Sequence, residues 1–538
     1  MIGVMQGYSH VADPRIRILC TEHFACRSKC ASYYENEGYR KVPDALSDKP
    51  PEHSNIAFSR HDCPPARGAA VQGDNAMKRV LIGRAAYRHW LRYGWLVITV
   101  MVVALHVSPA NALPIFARQT GQSCVACHAG GQFPELTPYG RLLKLNGYTF
   151  GERTVPIAAM GTIDLSKTRA NTDSSGNPIN TKNGLPIFDA ASIFLAGKIT
   201  DKIGAFAQFT YTNYDHQNGD TGQWVGHWGS DNTDFRFVDR IIGDANDLIF
   251  GATLHNNPTV QDVFNSAPAW SYPYISSTIS PVARIPILPI IEGGLAQQVA
   301  GIGGYLYWNK TVYAELTAYS TADGIWSFLS KGNQEGNMAH PQTYLRGYNP
   351  YARVALTRDW GPHSIMVGAF GLQANIYPND PNAFPIFTQG VTRYRDFGID
   401  SQYEYLLEPH TITAQARYER QNIHDPNNLV LGDSTSGNLN LLRLKASYVY
   451  QAKYGISLSF FNTTGSPDSV AYSASANFHP NTQGWIPEIF WMPAQYVRIG
   501  VQYTHFTKYL GATSNYDGSG RNARDNDTLF VYLWAASW

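Results

Sequence analysis

A chain of 538 residues with a formal net charge of +1 is neither a strongly basic binder of nucleic acid nor an acidic-tailed protein. Its 47 Gly, 33 Tyr, 24 Phe and 12 Trp stand beside only 15% charged residues, a mixture that suits a β-rich protein with aromatic belts. No G-x-S-x-G, H-E-x-x-H or phosphate-loop pattern occurs, so a hydrolase or nucleotide enzyme has no motif to stand on.

The first recognisable element is internal. Residues 77–112 have the three parts of an export signal: a basic stretch with Lys78, Arg79, Arg84, Arg88 and Arg92, an apolar run from Trp95 to Val107, and the small-residue site Ala110-Asn111-Ala112. The apolar run is short for an anchor helix, so cleavage before Leu113 is expected. Residues 1–76 then read as an extension upstream of a true start at Met77. Cys20, Cys26, Cys30 and Cys63 lie there in a spacing that fits no zinc finger.

Residues 113–152 carry the chemistry. The run "CVACH" places Cys124, Cys127 and His128 as C-x-x-C-H, the attachment pattern of a c-type haem: two thiols for the vinyl groups and one imidazole for the iron. Two cysteines alone could close as a disulfide or exchange electrons as a dithiol. The adjacent histidine favours one covalently bound haem c, with Cys124 and Cys127 as thioethers and His128 as the axial ligand. A short helix follows in "LTPYGRLLKLNGY", capped by Thr137, admitting Pro138 in its first turn and ended by Gly147.

From residue 153 onward every recognisable element is a strand of period two. The strands pair across short turns, at 200–202, 243–247, 309–310, 359–362, 408–410, 452–453 and 492–494. Long polar loops separate the pairs, among them 169–186, 215–233, 255–294 and 507–527. Seven short turns and eight long loops require about 16 strands, with both chain ends on the short-turn side. Short turns on one rim and long loops on the other predict an all-β fold, a transmembrane antiparallel barrel of the bacterial outer membrane spanning 153–538.

The strand faces agree. In "TVYAELTAY", Val312, Ala314, Leu316 and Ala318 oppose Tyr313, Glu315 and Thr317; in "DFGIDSQYEY", Asp396, Asp400, Gln402 and Glu404 oppose Phe397, Ile399, Tyr403 and Tyr405. A charge on the lipid face near the midplane costs roughly 2 to 4 kcal/mol, so the charged face is the lumen. There Asp396, Asp400 and Glu404 form either a metal path or a network of paired charges. In the closing strand Phe530, Tyr532, Trp534, Ala536 and Trp538 are expected to face lipid, with Leu529, Val531 and Leu533 inward.

A stub of about 38 residues is too small to bury a porphyrin by itself. It is therefore expected to plug or abut the barrel, whose sixteen strands leave room for it. The distal haem ligand must come from elsewhere. Met160 is nearest along the chain among Met160, Met338, Met366 and Met492, and a thioether would raise the reduction potential. His255, in the longest loop, is the rival. His216 and His227 are further loop histidines able to take a metal.

The phrases "LPIFARQTGQSCVACHAGGQFPELTPYGRLLKLNGY", "NNPTVQDVFNSAPAW", "GYNPYARVAL" and "NYDGSGRNARDNDTLFVYLW" make the mature chain resemble the fused monohaem cytochrome-porins of the outer membrane. That resemblance implies an outer-membrane protein in which one haem accepts electrons from extracellular ferrous iron and passes them to a periplasmic c-type cytochrome or cupredoxin. If the protein is an enzyme, the resemblance implies an Fe(II):cytochrome c oxidoreductase. Cys124, Cys127 and His128 match the family's haem positions; no iron-binding residue can be carried over. The remaining alternatives are a porin-like channel with a structural or sensory haem, and a conduit for another donor.

Overall fold

A computed structural model describes residues 115–537 except 132, 174–175, 218–222, 245, 271–272, 281–286, 334–338 and 381–382. The expectations for residues 1–76 and their four cysteines, for the export segment 77–112, for Leu113, for Met338, for the side chain of His216 and for Trp538 lie outside the described residues.

Sixteen strands form one closed antiparallel barrel. The first eight are β1 (Ile157–Thr168), β2 (Pro186–Lys198), β3 (Ile203–Gln217), β4 (Trp224–Ile242), β5 (Asp247–His255), β6 (Val299–Trp308), β7 (Val312–Thr321) and β8 (Asn349–Trp360). The second eight are β9 (His363–Ile376), β10 (Thr392–Leu407), β11 (His410–His424), β12 (Ser436–Tyr450), β13 (Tyr454–Gly465), β14 (Thr482–Ala494), β15 (Val497–Lys508) and β16 (Thr528–Ser537). Each strand bonds its sequence neighbours, and β1 closes on β16 in a register that runs from Ala159 opposite Ser537 to Thr168 opposite Thr528. Closure satisfies every strand edge, which is what lets a sheet stand in hydrocarbon.

The alternation sorts the faces as expected in β7 and β10. Tyr313, Glu315, Thr317 and Tyr319 are buried while Leu316 is 65% exposed; Asp396, Asp400, Gln402 and Glu404 are buried while Phe397 is 58% exposed. Outward Ile163, Val354 and Val367 continue the apolar surface around the barrel. A band of that kind is stable against lipid and a liability in water. The protein is a porin-like barrel of the outer-membrane type, and no described helix is long and apolar enough to cross a membrane.

Three expectations need correction. In β16 the parity is inverted: Phe530, Tyr532 and Ala536 are buried, Trp534 also points inward, and Leu529 lies outside. Both faces of this strand are apolar, so alternation alone does not orient it. The register with β1 does, because Thr528 Oγ1 meets Thr168 Oγ1 at 3.1 Å in the lumen. The turn expected at 492–494 lies instead at Gln495 and Tyr496, and much of the loop expected over 215–233 is strand, since β3 runs to Gln217 and β4 begins at Trp224.

Inside the short-turn end lies the segment before β1. It contains α1 (Ile115–Thr120), the single turn α2 (Cys124–Cys127) and α3 (Pro138–Leu145). Thr137 caps α3 by accepting from Gly140 N at 3.2 Å, Pro138 occupies the first turn, and Gly147 leaves it at φ +62°. The helix binds the barrel wall through buried charges. Arg141 reaches Glu404 at 3.0 Å and Ser364 at 2.5 Å, and Tyr148 donates to Asp234 at 2.7 Å. Arg236 of β4 in turn donates to the carbonyl of Lys144 at 3.1 Å.

The described parts of the β5–β6 loop, 256–270, 273–280 and 287–298, fold inward against the adjoining wall of the lumen. The loop's Val260, Val263, Phe264 and Ala267 are buried, and Lys144 Nζ donates to the carbonyls of Val260 and Asp262 at 2.8 and 2.7 Å. Arg353 bridges Asp262 of this loop and Asp400 of β10 at 3.1 and 2.8 Å. Asp396 accepts from Gln421 at 2.8 Å and from the Ile291 amide at 2.9 Å. Of the two readings for Asp396, Asp400 and Glu404, the arrangement is that of a paired network.

Candidate cofactor site

The C-x-x-C-H run is held by its own backbone. Cys124 to Cys127 make one helical turn, and His128 N closes it by donating to the Cys124 carbonyl at 2.8 Å. Thr137 then ties the turn to α3: its amide donates to the Cys127 carbonyl at 3.0 Å and its hydroxyl to the Ala126 carbonyl at 2.5 Å. Gly140 is required by proximity, since a Cβ there would lie 2.1 Å from the Cys127 carbonyl oxygen. From the barrel, Gln495 in the β14–β15 turn accepts from Cys124 N at 3.1 Å.

This scaffold faces a cavity of about 1490 Å³ of empty space, including the part open to solvent. Cys124, Cys127 and His128 line it. Phe194 and Phe206 on β2 and β3, Trp270 and Tyr274 on the inward loop, and Leu143 on α3 form apolar walls. Phe133 packs between them, with ring centroids 5.4 Å from His128, 5.4 Å from Trp270 and 4.5 Å from Tyr274. Two thioethers border the space, Met160 on β1 and Met492 on β14. The Met160 sulfur accepts from Trp534 Nε1 at 3.2 Å, which fixes its position.

Electrostatics favour a ligand over a redox couple. Burial pulls the His128 pKa down to about 4 against the opposing influence of Glu135, so the imidazole is neutral at physiological pH, the form that binds a metal. Its Nδ1 is buried with no hydrogen-bond partner. Burial first, and Cys124 second, push the Cys127 thiol up to about 11, far from the thiolate that disulfide exchange needs. Neither cysteine is in a disulfide. Two thiols, a neutral imidazole, an aromatic slot and a facing thioether suit a covalently attached haem in both donor chemistry and shape.

Cys124, Cys127, His128 and Met160 thus come together from sequence positions read as one site. His255 does not. It ends β5 in a fully buried position, its Nε2 2.6 Å from Tyr319 Oη and its Nδ1 3.0 Å from Thr253 Oγ1, away from the cavity lining. The loop after it carries Trp270 and Tyr274 inward in its place. His227 is likewise absent from the lining, and among the described residues no three His, Cys, Asp or Glu side chains gather to hold a metal ion. Sequence reading missed Met492 as a wall residue because it assigned that position to a turn.

No family profile matches the chain and no curated protein matches it either. Among solved structures, OprB of Pseudomonas putida at high pH aligns with a TM-score of 0.42 and 11% identity over 71% of this chain and 93% of its own. The anion-selective porin of Comamonas acidovorans gives 0.39 and 9% over 71% and 99%. A loop-deletion mutant of OmpT from Vibrio cholerae gives 0.37 and 11% over 72% and 99%. Likeness at that level carries no argument about activity; the porin-like outer-membrane barrel rests on this chain's own strand closure, its loop asymmetry and its apolar outer face.

Proposed function

We propose that this protein conducts electrons across the outer membrane through one covalently bound haem c. It takes them from extracellular ferrous iron and delivers them to a periplasmic c-type cytochrome or cupredoxin. The observation that carries the reading is that the elements forming the cavity are those that fill the bore. Segment 115–152, with buried Arg141 and Lys144, and the described part of loop 256–298 stand in the lumen against buried Arg236 of β4 and Arg353 of β8, an arrangement suited to holding a cofactor and ill suited to passing solutes.

When bound, the haem supplies a one-electron relay between the two faces of the membrane. Cys124 and Cys127 would hold it covalently, and His128 and Met160 would supply an imidazole and a thioether to its iron. Thr137 and Gly140 fix the angle at which the thiols are presented. Phe133, Trp270 and Phe206 line the cavity and would keep water from a group bound there, and Trp534 holds the Met160 sulfur in place.

Stopped-flow spectroscopy of the holoprotein in detergent tests this. Added Fe(II) should reduce the haem, and a haem that stays oxidised in excess ferrous iron defeats the proposal. Met160→Ala should remove the spectral signature of thioether ligation and lower the reduction potential, while Met492→Ala should leave both; the reverse result would move the distal role to Met492.

The second reading is a porin-like channel whose haem is structural or sensory, and the sixteen-strand barrel with long loops on one rim favours it. Single-channel recording separates the two. Steady conductance of porin size in the haem-loaded protein would favour the channel.

A further inference from the structure

The outward face of the barrel changes character along β9 to β12. Strands β10 and β11 carry the carboxylates Asp396, Asp400, Glu404 and Glu419, and all of them are buried on the inward face. β9 and β12 carry none. The arginines and lysines of these strands divide differently. Arg417, Arg443 and Lys445 are buried, whereas Arg393 and Arg395 of β10 and Arg420 of β11 are exposed on the outside. The outward face of these strands therefore bears positive charge with no acid beside it.

The arginines are near neighbours. Arg393 and Arg395 are alternate residues of one strand, about 7 Å apart at the rise of a β-strand. Arg395 lies opposite Asn422, two positions along β11 from Arg420, and Arg393 lies opposite Asn375. Arg346 extends the row: its amide donates to the Asn375 carbonyl at 2.8 Å, and the residue is exposed. The groups around them are neutral. Arg393 Nε donates to Asn375 Oδ1 and Arg395 Nε to Gln373 Oε1, both at 3.3 Å, which holds the side chains and leaves their charge uncompensated. Among the described residues none of these guanidiniums is in a salt bridge. Like charges on neighbouring strand positions destabilise a sheet, so an anion among them is favoured.

We infer that this patch binds the phosphate of an outer-leaflet lipid, a phosphorylated glycolipid whose acyl chains lie on the apolar band below it. Its height selects that occupant. Beneath the arginines, strands β9 to β12 present Val367, Phe397, Ile399, Tyr418 and Leu444 outward. Arg395 and Tyr405 are ten residues apart on β10, about 33 Å along the strand and roughly 25 Å in height at a tilt of about 40°, which is the thickness of the apolar band of such barrels. The arginines thus stand at the outer edge of the hydrocarbon, on the long-loop rim, where lipid phosphates lie. The short-turn rim of the same strands ends instead in rings: Tyr403, Tyr405, Tyr448 and Tyr450, with His363 and His410 hydrogen-bonded to Tyr403 and Tyr448. Rings suit any membrane interface, whereas a cluster of guanidiniums, each able to hold two phosphate oxygens, suits a leaflet dense in phosphate. An acidic protein is the poorer fit, because the patch continues into the lipid-facing band. The inference needs the barrel and its membrane; it does not depend on a haem or on the electron-conduit reading.

Bisphosphorylated lipid A is the probe, added to the full-length protein in detergent and counted by native mass spectrometry. The parent should retain the lipid, and the double variant Arg395→Gln/Arg420→Gln should retain about tenfold less. Arg358→Gln, which removes an exposed arginine from the outward face of β8 at the short-turn rim, should match the parent. Lipid A stripped of its phosphates should bind the parent no better than the double variant binds the intact lipid. Equal retention by parent and double variant, or an equal loss in Arg358→Gln, overturns the site. Inorganic phosphate in excess over the lipid should not displace it; displacement would make this a site for the free anion and overturns the lipid assignment. Compact gel mobility of the assembled barrel shows that the variants fold, since the replaced side chains are exposed, and Arg395→Lys/Arg420→Lys, which keeps the charge, should restore most of the binding.

Discussion

The two halves of the lumen at the short-turn end are built on opposite principles. On the side of β4, β8 and β10 the wall is charged and its buried carboxylates are paired: Asp234 by Arg236 and Tyr148, Asp400 by Arg353, Glu404 by Arg141. On the side of β1, β2, β3 and β16 it is apolar, with Ala158, Phe194, Phe206 and Ala536 facing empty space. The polar half grips α3 and pins the segment; the apolar half stands back from it. A plug gripped all round would leave no slot, and one gripped nowhere would not hold Cys124, Cys127 and His128 against the wall. The asymmetry both anchors the segment and leaves a cavity beside Cys124, Cys127 and His128.

The largest expected effect breaks the apolar half. Replacing Cys124 and Cys127 together with Ala should abolish covalent haem, read as loss of haem staining on a denaturing gel. The barrel itself should still assemble, because the grip on α3 involves neither thiol. Failure of the barrel to assemble would mean that the two halves are not independent.

Next in size is a break in the polar half. Arg353 is fully buried and its guanidinium joins Asp262 of the inward loop to Asp400 of β10. Arg353→Ala leaves two carboxylates buried without their partner, which costs about 3–5 kcal/mol. Unfolding in urea with detergent should show it, together with haem loss as the loop that carries Trp270 loosens. Smaller again is Gly140→Ala. Its methyl must displace the Cys127 carbonyl, at a cost of about 1–3 kcal/mol for overpacking. The expected result is a lower yield of attached haem with the barrel's own melting little changed.

What the sequence disclosed follows the same division. That Cys124, Cys127 and His128 share one cavity was legible from their C-x-x-C-H spacing, and that Met160 joins them from its place at the start of the first strand. The strand number was legible because connection length alternates with side of membrane. Orientation within β16 was not, since a filled lumen removes the polar face that marks the inside, and Phe530 and Tyr532 look the same facing lipid or plug. His255 misled because a loop histidine with few rivals attracts a ligand role, whereas the fold spends it on Tyr319. The β-bulge at Asp189, opposite the step from Thr162 to Ile163, was invisible as well, because register slips leave no trace in hydropathy.

The finest distinction between the halves is electrostatic, and Lys144 sits on the border. It lines the cavity and its ammonium lies 5.0 Å from the Trp270 ring centroid, yet it donates to carbonyls of the polar side and to Asn265 at 2.9 Å. Burial first, and Arg236 second, lower its pKa from 10.5 to about 7, against the opposing pull of Asp234, Asp262 and Glu315. Below pH 7 the folded protein therefore holds a positive charge at the cavity edge, which on the proposed electron-conduit reading would stabilise a reduced haem and raise its potential. As pH climbs through 7 the charge is lost and the potential should fall, levelling off once Lys144 is neutral. Redox titration across that window, repeated on Lys144→Met, should show the slope in the parent and a flat, lower potential in the variant. An equal slope in both would place the titrating group elsewhere and make the border between the two halves purely one of shape.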